Sequence, residues 1–313
     1  MDKYGLKMLL RSIRSSLGRY LAILAIVALG VGFFAGLKSS QPAMQSTVDE
    51  YMRDNRMFDF QLMSSLGLTE SDRAAFAQLD GVKYAEGAYG VDAMAAVGKT
   101  EEPYRFMSVT ENVAVPLLVA GRMPETDGEC LADAGAFSEK DIGKTVQLSE
   151  DNDADTLDMF TSRSYKIVGI AKSPRYISND RGSTSLGSGS LKGFIILPAA
   201  AFNSEVYHEI LLYCNFDGAL FSSEYDTARD KLKPRIQQLL NRCGARRYET
   251  LRAETDAKLA DAQLEINDGW DEYYANESSA LSQINVGLAQ IEAAELAARN
   301  KAEAVDITLP GVP

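Results

Sequence analysis

His208 is the single histidine in 313 residues, and that count removes most imidazole chemistry at once. A Ser-His-Asp triad, a Cys-His pair or a multi-histidine zinc site would each have to be built on it. Its flanks, Glu205-Val206-Tyr207-His208-Glu209-Ile210-Leu211, read as the start of a strand, so a surface or strand-end histidine is expected. Cys130, Cys214 and Cys243 do not make a disulfide framework; the odd number leaves at least one thiol, and no pair has metal-ligand spacing. The span Arg181 to Ser190, RGSTSLGSGS, invites a phosphate-loop reading. A Walker loop closes on Gly-Lys-Ser/Thr and opens a helix, whereas Lys192 precedes Gly193 and a strand, so a mobile hairpin tip able to dock cargo or a partner is expected. Asp151, Asp153 and Asp155 imitate the start of a calcium loop, but the glycine at position 6 and the glutamate at position 12 are missing, which leaves a solvated charged loop over Glu150–Asp158. Trp270 with Tyr273 and Tyr274 would form an aromatic ligand platform, or, as is usual on a helix, pack against a neighbour. No catalytic, cofactor-binding or metal-ligating residue emerges, and no enzyme activity is expected.

The elements that carry these residues fall into contrasting parts. A composition 46% hydrophobic and 24% charged is that of a folded chain rather than a disordered one. A net charge of -12 argues against nucleic acid as a partner, because phosphate binding needs clustered Lys and Arg. Residues 1–19 nevertheless carry Lys3, Lys7, Arg11, Arg14 and Arg19 against Asp2 alone, so a basic end is joined to an acidic body.

Tyr20 to Leu37, YLAILAIVALGVGFFAGL, is free of charge. As a helix it spans about 27 Å, close to the ~30 Å hydrocarbon core, with Leu17 or a snorkelling Lys38 supplying the rest. Gly32 and Gly36 have the small-xxx-small spacing that lets membrane helices approach. Residues 20–38 are therefore expected to form a retained transmembrane helix, with the preceding cations holding the N-terminus in the cytoplasm. A cleaved signal peptide is the rival; its apolar core would be long, and Ala35-Gly36-Leu37 is a poor cleavage site. A buried soluble helix is disfavoured by apolar residues on every face. Before it, Leu6, Leu10, Ile13 and Leu17 share one face with Lys7, Arg11 and Arg14 beside them, an amphipathic basic helix over 1–19 suited to an anionic leaflet.

Residues 45–220 are expected to form one domain, in which Met57 to Phe216 read as short strands broken by Gly, Pro, Asn and Asp. Phe58 to Met63 alternates, Thr69 caps a helix to Leu79, Val82 to Val97 makes one long or two short strands, and Tyr104 to Val109 another. Strand-like runs follow at Leu117–Pro124, Gly128–Ala132, Ile142–Leu148, Tyr165–Ala171, Phe194–Pro198 and Glu209–Phe216. In residues 221–305, Phe221, Tyr225, Ala228, Leu232, Ile236 and Leu239 form one helical face that Pro234 should kink, and Cys243-Gly244 should break. Leu281, Ile284, Leu288 and Ile291 recur at 3-4-3 spacing, a heptad seam. Ala257, Ala260 and Leu264 fit a seam too, interrupted at Asn267-Asp268-Gly269, so a helical hairpin or stalk arm that needs a partner helix is expected.

The ordered series LLVAGRMPETDGECLA, IGKTVQL, YKIVGIAKSPRYIS and FIILPAAAF resembles the MacB-type extracytoplasmic core domain of FtsX-like ABC transporter permeases, and residues 6–37 resemble their first transmembrane segment. The helical tail is similar to the coiled-coil insertion of large Gram-positive members. The resemblance implies an α+β fold, a cytoplasmic ATPase as partner and transmission of its cycle to the external domain in the cell membrane, with no cofactor in this chain. It also implies further permease helices or a second permease copy, since such permeases have several membrane helices and one is found here. The chain is thus expected to be the N-terminal portion of a longer permease, with 306–313 as a tail. A single-pass membrane-anchored sensor or binding protein is the alternative, and a secreted enzyme a weaker third.

Overall fold

The computed structural model describes residues 3–306. Helices α1 (Lys3–Ser15) and α2 (Leu17–Asp54) meet at Ser16. They are followed by β1 (Phe60–Leu68), α3 (Glu70–Ala77), β2 (Val82–Ala88), β3 (Gly90–Val97), β4 (Thr100–Ser108), β5 (Leu117–Gly121) and β6 (Glu129–Asp133). The order then runs β7 (Thr145–Leu148), α4 (Ala154–Asp158), β8 (Ser164–Lys172), β9 (Gly193–Leu197), β10 (Tyr207–Cys214) and α5 (Ser223–Asp306). The architecture is α+β, with one N-terminal apolar helix, mixed strands and a long C-terminal helix. The 307–313 tail lies outside the described residues, as do the side chains of Leu10 and Ile13 on the expected amphipathic face.

Helix α2 is the one described helix long and apolar enough to cross a membrane. Its large apolar side chains from Tyr20 to Leu37 are exposed on every face, and none of the described residues covers them. Each such side chain gains about 1.5–3 kcal/mol on leaving water, a strong demand for an apolar solvent. The helix does not stop at Lys38. It continues through Pro42 to Asp54, where Ser39 and Ser40 hydroxyls bond back to the Gly36 and Leu37 carbonyls at 3.1 and 2.9 Å.

Strands β1, β10 and β2 form a three-stranded antiparallel sheet in the order β1-β10-β2. The cap expected at Thr69 is present as a reciprocal box: Asp72 N–H donates to the Thr69 hydroxyl and the Asp72 carboxylate accepts the Thr69 N–H at 2.8 Å. That fixes α3 over one face of the sheet, where Leu62, Phe76, Ile210 and Leu212 bury with Leu232, Ile236 and Cys243 of α5.

The remaining strands run β5-β8-β6-β9-β4-β3-β7, and β7 returns to pair with β8. Six strands therefore close into a small barrel, with β5 on the second half of the β8 edge. Ala93, Ala95 and Ala132 leave room inside for Phe106, Tyr165 and Ile167, the alternation of small and large that a narrow barrel needs. Val82 to Val97 proves to be two strands serving two sheets: Ala88 ends in the small sheet and Gly90 begins the barrel.

The Gly-Arg-x-Pro and Gly-Glu segments of the resemblance form one clasp. Arg122 pairs bidentately with Glu129, one bond being 2.7 Å, and Glu129 also accepts the Glu125 N–H at 2.9 Å. These bonds, the Arg122 ion pair foremost, hold the Glu129 carboxyl down at about 2. Gly121 stands at φ +82°, and a Cβ there would lie 2.3 Å from the Val168 carbonyl oxygen, so only glycine lets β5 turn against β8.

Two loop expectations change. The acidic stretch is not wholly loop, because Asp153 accepts the Thr156 N–H at 2.6 Å and starts α4. Asn152 beside it is buried and bonds both backbone groups of Met94 at 2.8 Å. The Gly/Ser hairpin forms, with Ser183 bridged to Ser190, and is tied at its base, where Arg181 pairs with buried Asp133. Gly187 to Ser190 at its tip are exposed.

Helix α5 corrects the tail more strongly. It runs unbroken from Ser223 to Asp306, so Cys243-Gly244 is no break and Asn267-Asp268-Gly269 no hairpin turn. The ~1 kcal/mol that a helical glycine costs is outweighed by intact hydrogen bonding on both sides and, at Cys243, by burial against the small sheet. By contacts the chain divides into two compact units at Ala245/Arg246. In the second, Leu281, Ile284, Leu288 and Ile291 are all exposed.

Candidate functional site: the joint between α2 and α5

The residues weighed for chemistry do not converge. His208 is half-buried at the start of β10, where its Nδ1 meets the backbone of Gly90, 3.0 Å from the carbonyl and 3.2 Å from the amide, and so joins the small sheet to the barrel. Cys130, Cys214 and Cys243 are buried and carry no disulfide, and burial raises the Cys214 thiol to about 12. Asp151, Asp153 and Asp155 are exposed, and among the described residues no three His, Cys, Asp or Glu side chains gather as metal ligands would. Trp270 and Tyr274 stack on each other, 5.9 Å between ring centroids and 27° between planes, and Tyr273 stands edge-on to both.

The concentration of polar contacts lies elsewhere, where the end of α2, the start of α5 and strands β1 and β10 meet. Asp49, one turn before Arg53 on α2, accepts the Arg53 Nε–H at 2.9 Å and the Leu220 N–H at 2.6 Å. Arg53 reaches the Gly218 carbonyl. Gly218 has φ +86°, and a Cβ there would lie 2.6 Å from the Ser222 hydroxyl, so the approach to α5 requires glycine. Asp59 precedes β1 and accepts the Cys214 N–H and the Tyr225 hydroxyl, both at 2.6 Å. Phe216 stands edge-on to Phe60 and to Tyr225, with centroids 6.3 and 5.3 Å away.

These groups surround a cavity of about 220 Å³, lined also by Met52, Phe58 and Tyr213. Burial raises the Asp59 carboxyl above its ordinary value, although the Tyr225 and Cys214 bonds pull the other way. Burial, and donation to Asp59, raise the Tyr225 phenol, so it remains a donor at any physiological pH. No nucleophile or proton relay is assembled. What the geometry does is fasten the end of α2 to the segment that leads into α5, and the first turn of α5 to the segment that follows α2.

Tyr225→Phe deletes the hydroxyl but keeps the ring. It leaves one Asp59 oxygen without its donor beside the cavity, and an expected loss of about 1–3 kcal/mol in urea unfolding follows. A loss below about 0.5 kcal/mol, the range of an ordinary surface substitution, would show that the bond does not fasten the joint.

Sequence reasoning missed this site. The signals were present but weak: Asp49 and Arg53 at i,i+4 spacing, and an acid between two phenylalanines at Phe58-Asp59-Phe60.

No family model matches the chain, and no curated protein matches it. Solved structures similar to it include the periplasmic region of MacB from Actinobacillus actinomycetemcomitans. That likeness has 14% identity and a TM-score of 0.35, and covers 57% of this chain and 76% of that one. Another is the extracellular domain of the noncanonic ABC-type transporter YknZ from Gram-positive bacteria, with 15% identity, a TM-score of 0.34, and 57% and 84% coverage.

Proposed function

We propose that this chain is a membrane component of an ABC transporter. In this reading α2 crosses the cell membrane with the N-terminus in the cytoplasm, and the α+β domain lies outside. A separate cytoplasmic ATPase drives movement of that domain for export or extraction of a substrate, and further permease helices or a second permease copy complete the membrane part. One observation carries the proposal. The helix that needs an apolar solvent from Tyr20 to Leu37 continues without interruption to Asp54, about 25 Å farther, and is clasped there to the Gly218–Leu220 segment that leads into α5. A rigid rod with a fastened end transmits displacement, whereas a tether would need only a flexible linker. The basic residues before the span and the ordered strand segments support the same reading.

The test has two arms. In intact cells, a cysteine at Ser149 should react with an impermeant maleimide and one at Arg11 should react only after lysis. Expression of the full chain with its neighbouring genes should co-purify a nucleotide-binding subunit whose ATPase rate falls when Arg53→Ala loosens the joint. Full solubility without detergent, or a head labelled only after lysis, would overturn the membrane assignment. Correct topology with no ATPase subunit bound would leave a single-pass binding protein instead.

A further inference from the structure

The exposed seam on α5 specifies the charge of what covers it. Leu281, Ile284, Leu288 and Ile291 are each 53–58% exposed, and their 3-4-3 spacing places them on one stripe of a continuous helix. Extending the heptad by one layer in either direction reaches Glu277 and Glu295, both exposed carboxylates. One layer beyond Glu277 come Tyr274 and then Trp270, the sole tryptophan of the chain. Residues 259–298 contain eight carboxylates and neither lysine nor arginine.

A second copy is a poor occupant. In an antiparallel pair that sets Leu281 against Ile291 and Ile284 against Leu288, the next layer at either end sets Glu277 against Glu295. In a parallel pair Glu277 faces Glu277 and Glu295 faces Glu295. Both registers close the apolar layers with carboxylate on carboxylate, in a seam that docking would partly dehydrate.

We propose that the seam docks an amphipathic helix of opposite charge. Its four central layers are apolar, and Lys or Arg faces Glu277 and Glu295, eighteen residues and about 27 Å apart along α5. The paired rings of Trp270 and Tyr274 extend the stripe and offer π faces to a further cation of the same helix.

Trp270 makes the test direct. The full chain in detergent is titrated with two synthetic helical peptides that reach from the Glu295 layer to Trp270. Both carry Leu and Ile at the four layers; one has Lys at the layers facing Glu277 and Glu295, the other has Glu. The lysine peptide should shift Trp270 emission to the blue and bind at least about tenfold more tightly than the glutamate peptide, a preference that E277K/E295K should reverse. Both carboxylates are exposed, so that variant leaves the packed domain intact. Equal binding of the two peptides, or binding of neither, would overturn the proposal. So would a concentration-dependent blue shift of the chain alone, which would show a second copy on the seam.

Discussion

Arg181→Ala is expected to lower the unfolding free energy by about 3–5 kcal/mol, the penalty for breaking a buried ion pair from one side. The Asp133 side chain is 1% exposed and that of Arg181 9%. The guanidinium grips both carboxylate oxygens, Nε to Oδ2 at 2.5 Å and Nη2 to Oδ1 at 2.9 Å, and lies over Tyr176 and Phe194 at 5.2 and 5.7 Å. Without it the Asp133 carboxylate keeps the Gly135 N–H at 2.8 Å and loses its countercharge. The base of the 181–193 hairpin would be released at the same time. Lysine is a poor replacement, because the site uses a planar fork and its stacking on rings. Urea unfolding of the full chain in detergent measures the loss, and the double variant Arg181→Met/Asp133→Leu should recover much of it. Arg229→Ala, which breaks a half-exposed pair with Asp226, should stay within about 0.5 kcal/mol. A loss below about 1 kcal/mol for Arg181→Ala would mean that water reaches Asp133.

Ile236→Ala should cost about 2–5 kcal/mol, for a different reason. Ile236 is 3% exposed and packs with Leu232 and Cys243 of α5 against Leu62, Ile210 and Leu212 of the small sheet. Truncation leaves a cavity between the helix and the sheet, and the loss grows with the volume left unfilled. The same change at Ile284, on the exposed seam, should fall within about 0.5 kcal/mol. Thermal unfolding by circular dichroism separates the two. Equal, small effects would mean that the first turns of α5 are not held by the sheet.

Much of this was legible beforehand. The span from Tyr20 to Leu37 and the Thr69 cap depend on neighbours within a turn or two, and a single strand's alternation depends on its own residues. Such short-range patterns fail where a wider context decides. Gly244 and Asn267-Asp268-Gly269 carry local breaking signals, yet α5 passes through them because a long helix propagates more easily than it restarts. The acidic stretch is pinned by Asn152, which bonds Met94 of β3, 58 residues away in sequence.

The sequence alone determined that an uncharged, all-round apolar helix is joined to an acidic body of short strands and a helical tail, because composition and periodicity are local quantities. Tertiary structure alone decided that β7 returns to β8 to close a barrel, that Arg122 and Glu129 form a clasp, and that Asp49, Arg53, Asp59 and Tyr225 tie the end of α2 and the start of α5 to segments far away in the chain. Each of those is a hydrogen-bond pairing between groups with several possible partners, and the choice among them is made only when the packed chain brings one within reach.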